Sequence, residues 1–219
     1  MKLIQIFYRN RFKNNEYEFR DRVWKILCER VFQKMIYEKD TLIDIGAGYC
    51  EFINYINCKR KIAVDLNPDT KVKAKENVEV LNVSAFSIPK NLDGKIDVIF
   101  MSNFLEHLNS KNEVILIIKR SFKLLRKEGI IILMQPNIDL VKERYWDFID
   151  HNIPLNLQSL TEALEIGGFE IQYKIKRFLP YTTKDNISIH STLLLKLYLL
   201  LPTFFRPFAG QSLIVAKKR

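Results

Sequence analysis

The stretch Leu42-Ile43-Asp44-Ile45-Gly46-Ala47-Gly48-Tyr49-Cys50-Glu51-Phe52 constrains the fold of this chain more than any other. A short apolar run ends near an acid. Two glycines one residue apart follow, and then a new apolar periodic segment begins. This pattern predicts a buried strand that turns sharply into a helix over 51–57. Gly46 and Gly48 open backbone angles closed to other residues and let a ligand approach the main chain. A second apolar run, Lys61-Ile62-Ala63-Val64, ends at Asp65. An acid there can accept hydrogen bonds from both hydroxyls of a ribose. The two segments together predict a nucleoside-containing ligand seated on a parallel sheet.

The dinucleotide fingerprint requires a third glycine three residues past the second, where a helix dipole meets pyrophosphate. Glu51 holds that position, and a carboxylate there would repel a diphosphate. What remains, acid-x-Gly-x-Gly, resembles the first motif of class I S-adenosylmethionine-dependent methyltransferases. Their cofactor carries a sulfonium cation and no phosphate, and Asp44 suits a positively charged guest. The family pattern has a further glycine where this chain has Cys50.

A second segment strengthens the resemblance. Ile96-Asp97-Val98-Ile99-Phe100-Met101-Ser102-Asn103-Phe104-Leu105-Glu106-His107-Leu108 is a buried strand that ends at a polar turn leading into Glu-His-Leu. It is similar to the "EHL" version of the fourth motif in small-molecule methyltransferases. Ligands in open α/β sheets sit beyond the carboxyl ends of strands, so Ser102 to His107 is expected at the cofactor rim. After the third strand, Ser84 stands where the family often places an acid on the adenine amino group. The resemblance implies a cofactor site built from Asp44, Gly46, Ala47, Gly48, Asp65, Leu66, Ser84, Ala85 and Asn103. It implies S-adenosyl-L-methionine as the cofactor and no metal.

The chain alternates strand and helix. Strands are predicted at 41–45, 61–65, 78–82, 96–101 and 129–135, and helices at 51–57, 68–76, 112–126 and 156–166. Alternation of this kind argues for a mostly parallel sheet with helices on both faces. An amphipathic helix from Glu16 to Lys39 precedes it and is expected outside the core sheet. Gly129 reads as a helix stop, and Gly167-Gly168 as architectural. Phe169 to Lys176 alternates as a half-solvated strand does, and Gln211 to Lys217 reads as another strand. The family's seven-stranded, Rossmann-like sheet ends in such a pair, the last strand antiparallel. The implied layout is one domain: a helical cap at 1–39, core sheet at 40–176 and 211–219, and an insertion at 177–210.

At 219 residues the chain is long enough for a substantial core. Its three cysteines, Cys28, Cys50 and Cys58, show no C-x-x-C spacing, which argues against a disulfide scaffold or zinc cluster and for a reducing, cytoplasmic setting. The apolar run within Met1 to Arg9 is too short for a secretory signal. The formal charge of +10 fits either a diffuse basic surface or an anionic partner.

Two histidines are candidate catalytic groups. Neutral imidazole can take a proton from an attacking hydroxyl at physiological pH. His107 belongs to the EHL motif, and His151 lies in Asp150-His151-Asn152-Ile153-Pro154, between the fifth strand and the next helix. Adjacent residues seldom face each other, so Asp150 is not expected to orient His151.

The fourth motif lacks both the Asn/Asp-Pro-Pro-Tyr signature of adenine methylation and the Pro-Cys nucleophile of cytosine-C5 enzymes. O-methylation of a small molecule or saccharide is therefore expected, with an RNA methyltransferase or a non-catalytic binding protein of the same fold as alternatives. The layout and the ending "RFLP…KLYLLLP…GQSLIVAKK" resemble bacterial methyltransferases of polysaccharide biosynthesis, where the acceptor would be a saccharide, including a lipid-linked glycan. The apolar segment 190–208 is too short and too interrupted to span a bilayer. It is expected to pack internally or to touch a membrane surface peripherally, on the inner face, with Arg177, Lys184, Lys196 and Arg206 assisting.

Overall fold

The computed structural model describes residues 5–6, 14–181 and 191–219. Most of Met1 to Arg9, together with Lys184 and residue 190, lies outside the described residues.

Seven strands form one sheet in the order β3-β2-β1-β4-β5-β7-β6. These are β1 (Thr41–Ile45), β2 (Arg60–Val64), β3 (Val78–Leu81), β4 (Ile96–Ser102), β5 (Leu125–Pro136), β6 (Phe169–Pro180) and β7 (Ala209–Lys218). β1 pairs in parallel with β2 and β4, β2 with β3, and β4 with β5. β7 runs antiparallel between β5 and β6. This is the doubly covered sheet expected from the alternation. Strand side chains alternate between the two faces, and the core divides accordingly. One face carries Ile43, Ile45, Ile99, Met101, Ile131 and Leu133. The other carries Leu42, Phe100, Ile132, Met134 and Val215.

The helices are α1 (Asn14–Arg30), α2 (Asp69–Lys73), α3 (Lys111–Leu124), α4 (Ile138–Val141), α5 (Leu157–Ile166) and α6 (Thr192–Leu200). In α3 the buried residues Val114, Ile117, Ile118, Ser121 and Leu124 fall on one helical stripe. The helix begins where Ser110 Oγ accepts the Glu113 N–H at 3.2 Å. A reciprocal Asn156–Ser159 capping box starts α5.

Several expected boundaries change. The helix expected over 16–39 ends at Arg30 and is followed by a 3-10 turn at Phe32–Met35. It lies outside the sheet, as expected, and packs on the sheet's second face through the buried Ile26, Leu27 and Cys28. The helix expected at 51–57 is a series of turns. Cys50 adopts φ +62, and the Asn54 side chain bonds the main chain of Lys73 and Lys75. The chain spends its polar groups on a distant segment rather than on a helical ladder. The helix expected at 68–76 shortens to Asp69–Lys73.

Gly129 is not a helix stop, because α3 ends at Leu124 and β5 already includes Leu125. A Cβ at Gly129 would lie 3.0 Å from the Arg126 carbonyl oxygen and 3.1 Å from that of Asp97, so the residue permits close strand approach. β6 continues to Pro180, and the insertion therefore begins after the expected 177.

Candidate active site

The loop after β1 is strapped across the end of β2. The N–H groups of Gly46 and Ala47 donate to the Val64 carbonyl at 2.9 and 3.3 Å. Gly46 (φ +77) and Gly48 (φ +53) occupy the left-handed region. At Gly46 space is also decisive: a Cβ would sit 2.7 Å from Cδ2 of Phe104. The glycine loop thus packs directly on the turn that leads to Glu106 and His107. Cys50, where the resembling family has glycine, also has positive φ, so the backbone demand persists although the residue has changed.

Asp65 is buried and organises the crevice. Its Oδ2 accepts the Gly48 N–H and its Oδ1 the Asn67 N–H, both at 2.7 Å. A carboxylate has about four acceptor positions, so both oxygens keep lone pairs for ribose hydroxyls. Asp44, on β1, is buried beside it. Burial pushes the Asp44 carboxyl well above the ordinary carboxylate range, and the charges of Asp65 and Glu51 add to the effect. Burial also raises Asp65, opposed by the N–H bonds from Asn67, Gly48 and Leu66. Two crowded acids with elevated proton affinity make a pocket that favours a cationic guest. Glu51 is answered by Arg20 of α1, whose Nη2 lies 2.6 Å from Oε1.

A cavity of about 710 Å³ runs from this crevice beyond the ends of β1, β4 and β5. All the expected site residues line it: Asp44, Gly46, Ala47, Gly48, Asp65, Leu66, Ser84, Ala85, Asn103, His107 and His151. Ser84 Oγ accepts the Phe86 N–H at 3.3 Å, which fixes the turn at that end. Asn103 adopts φ +50 and donates its N–H to the Met134 carbonyl at 2.9 Å.

His107 and His151, far apart in sequence, meet with ring centroids 5.1 Å apart. Main-chain bonds bring them together. The Glu106 carbonyl accepts N–H bonds from Asn152 at 2.8 Å and Ile153 at 3.1 Å. The Tyr145 hydroxyl donates to the Ile153 carbonyl. His107 Nδ1 lies 2.9 Å from the Asp150 carbonyl oxygen and 3.3 Å from its carboxylate Oδ2. His151 Nδ1 lies 2.9 Å from the Tyr145 carbonyl oxygen. A carbonyl only accepts, so each Nδ1 carries the hydrogen and each neutral ring keeps its lone pair on Nε2. Asp150 therefore serves His107.

Sequence reasoning missed part of the wall. Arg20, Val23 and Trp24 come from α1, Phe148 from the loop before His151, and Tyr181, Leu195 and Gln211 from the β6–β7 region. No local motif marks them. Ser102 Oγ and Gln211 Oε1 are buried cavity atoms with no hydrogen-bond partner among the described residues.

A family model described as a methyltransferase domain matches residues 17–174. An S-adenosylmethionine-dependent methyltransferase from Archaeoglobus fulgidus has a TM-score of 0.64 at 19% identity, covering 99% of this chain and 100% of its own. Another from Thermotoga maritima has a TM-score of 0.67 at 19% identity, with coverage of 96% and 98%. The cyclase SpnF, at 17% identity, has a TM-score of 0.62 over 90% of this chain and 80% of its own. At these identities the likeness shows the fold. No curated protein sequence matches the chain.

Proposed function

Since the chain belongs to the class I S-adenosylmethionine-dependent methyltransferases, we propose that it methylates a hydroxyl oxygen of a small molecule or saccharide. The observation that carries this reading is the pair of imidazoles with Nδ1 tied to carbonyl oxygens, in the cavity that also holds Asp44 and Asp65. S-adenosylmethionine supplies an electrophilic methyl group when bound. Asp65 would take the ribose hydroxyls, and Asp44 would favour the cationic end of the cofactor. The acceptor hydroxyl would give its proton to Nε2 of His107 as its oxygen takes up the methyl group. The Asp150 carboxylate at 3.3 Å stabilises the imidazolium that forms. Nitrogen or activated-carbon acceptors have less need of such a base. Ser102 and Gln211 offer polar atoms for further acceptor hydroxyls.

The acceptor's carrier is addressed by α6. Its Leu195 lines the cavity, while Leu193, Leu194, Leu197 and Leu200 face outward. Phe204, Phe205 and Phe208 extend the apolar surface, Phe204 at 83% exposure. Clustered exposed aromatics and leucines mark an interaction surface. Arg177 of adjacent β6 is exposed and Lys196 of α6 partly so, which gives the charge complement of an anionic bilayer. Arg206, expected to join them, is instead buried; its guanidinium donates to the carbonyls of Phe178, Leu199 and Leu201. No helix among the described residues is long and apolar enough to cross a membrane. The surface therefore suits shallow docking, with a lipid-linked saccharide entering the cavity beside Leu195.

Incubation of cell-envelope extracts with methyl-labelled S-adenosylmethionine tests the reaction. Label should appear in base-stable ether linkage on a saccharide fraction, and His107→Ala should abolish it while retaining cofactor affinity. Label confined to RNA or to nitrogen would refute the reading. Flotation with phosphatidylglycerol vesicles tests the surface. Binding should be lost in Leu200→Asp/Phe204→Asp. Absence of vesicle binding by the parent, or a concentration-dependent dimer abolished by the same variant, would refute membrane docking.

A further inference from the structure

Glu106 is absorbed by none of the roles above. It is 0% exposed and lines the cavity together with the histidine pair. Its charge is near enough to Tyr145 to help burial push that phenol upward. A carboxylate oxygen of Glu106 and one ring nitrogen from each of His107 and His151 all lie within 4.8 Å of one another. We infer that Glu106, His107 and His151 form a binding site for one divalent transition-metal ion of the zinc class, on the acceptor side of the cavity.

The ligand chemistry fits. Two imidazoles and one carboxylate are the donor set of catalytic zinc and related sites, in which three protein ligands leave a position open. Zinc takes such ligands at about 2.0–2.2 Å, so tetrahedral ligand atoms stand about 3.3 Å apart. Contraction from 4.8 Å, shared between two side chains, is a sub-ångström adjustment for each.

The surroundings fit as well. Metal-bound histidines usually donate their other ring N–H to a carbonyl or carboxylate, which fixes tautomer and orientation. Here His107 has the Asp150 carbonyl with its carboxylate beside it, and His151 has the Tyr145 carbonyl. Both rings are thus oriented through Nδ1 before any ion arrives. The Asn152 and Ile153 N–H bonds to the Glu106 carbonyl clip the two ligand-bearing segments together, so the donors are preorganised by main chain. All three residues except part of His107 are withdrawn from solvent, where a cation's field is screened least.

A bound ion would hold the acceptor hydroxyl in its open position and lower its pKa, so that the proton would pass to water rather than to Nε2 of His107, whose lone pair the ion would occupy. This role rests on the O-methylation reading; the binding itself does not.

The test uses the full chain, stripped with a chelator, then titrated with zinc chloride by calorimetry and with cobalt(II) by visible absorption. One ion per chain should bind, with the intense tetrahedral cobalt bands of nitrogen and oxygen ligands and no thiolate charge-transfer band. Magnesium should not compete. Glu106→Gln and His151→Ala should each weaken binding by at least about tenfold. His107→Gln, at the half-exposed ligand, provides a second variant should either buried change unfold the chain. S-adenosylmethionine affinity, read on the same metal-free samples, should be unchanged. No binding by the parent, thiolate bands, or full affinity in His107→Gln would overturn the proposal. Chelator-treated protein that still forms the methyl ether in a His107-dependent way would overturn the metal's role and leave the O-methylation reading standing.

Discussion

Asp44→Asn should have opposite effects on the free and liganded protein. Asp44 is buried near Asp65 and Glu51, and its carboxyl is held well above the ordinary carboxylate range by burial first and by those charges second. A folded-state pKa above the unfolded one means the native chain binds more protons in that window. Stability therefore falls as pH rises from the unfolded value through the folded one. Asparagine keeps the shape and removes the cost, so the free protein should melt higher than the parent at neutral pH. Cofactor binding should move the other way. A hydrogen bond to a charged group is worth about 1.5–3 kcal/mol, and about 1.4 kcal/mol is tenfold, so S-adenosylmethionine affinity should fall about 10- to 150-fold. A cationic guest also favours the ionised carboxyl. The parent should therefore release protons on binding and bind more tightly as pH rises through the Asp44 titration, and the variant should release fewer. Calorimetry in buffers of different ionisation enthalpy measures both quantities. A variant that binds as tightly as the parent, or a parent that releases no protons, would refute the reasoning.

Other changes should read out singly. Asp65→Ala deprives the Gly48 and Asn67 N–H groups of their acceptor and should cost about 1–3 kcal/mol in denaturant unfolding, as well as most cofactor affinity. Gly46→Ala combines φ +77 with a 2.7 Å approach to Phe104. It should destabilise by about 1–3 kcal/mol, and an unchanged midpoint would show that the loop relaxes freely. Arg206→Ala removes the donor shared by the carbonyls of Phe178, Leu199 and Leu201. A loss of about 2–4 kcal/mol is expected, with vesicle affinity of the folded protein unchanged, because this charge is buried.

The strands, the glycine loop and the acid at the end of β2 were legible because each is a local demand. Near-continuous apolar runs at Leu42–Ile45 and Val98–Met101 are satisfied by burial on both faces, and left-handed backbone at 46 and 48 selects glycine. Local pattern misled where distant partners compete for polar groups. Residues 51–57 have helical spacing but become turns because Asn54 serves the Lys73–Lys75 segment. Arg206 reads as a surface charge, yet three carbonyls draw it inside.

By itself the sequence determined the sheet, its cofactor rim and the residues of the glycine loop, since those follow from neighbours along the chain. Only tertiary structure decided that Arg20 answers Glu51, that α1 and Gln211 wall the cavity, and that His107 and His151 share one end of it beside Glu106. Those encounters depend on sheet register and on main-chain bonds such as Asn152 to Glu106. They join residues whose separation along the chain carries no periodic signal.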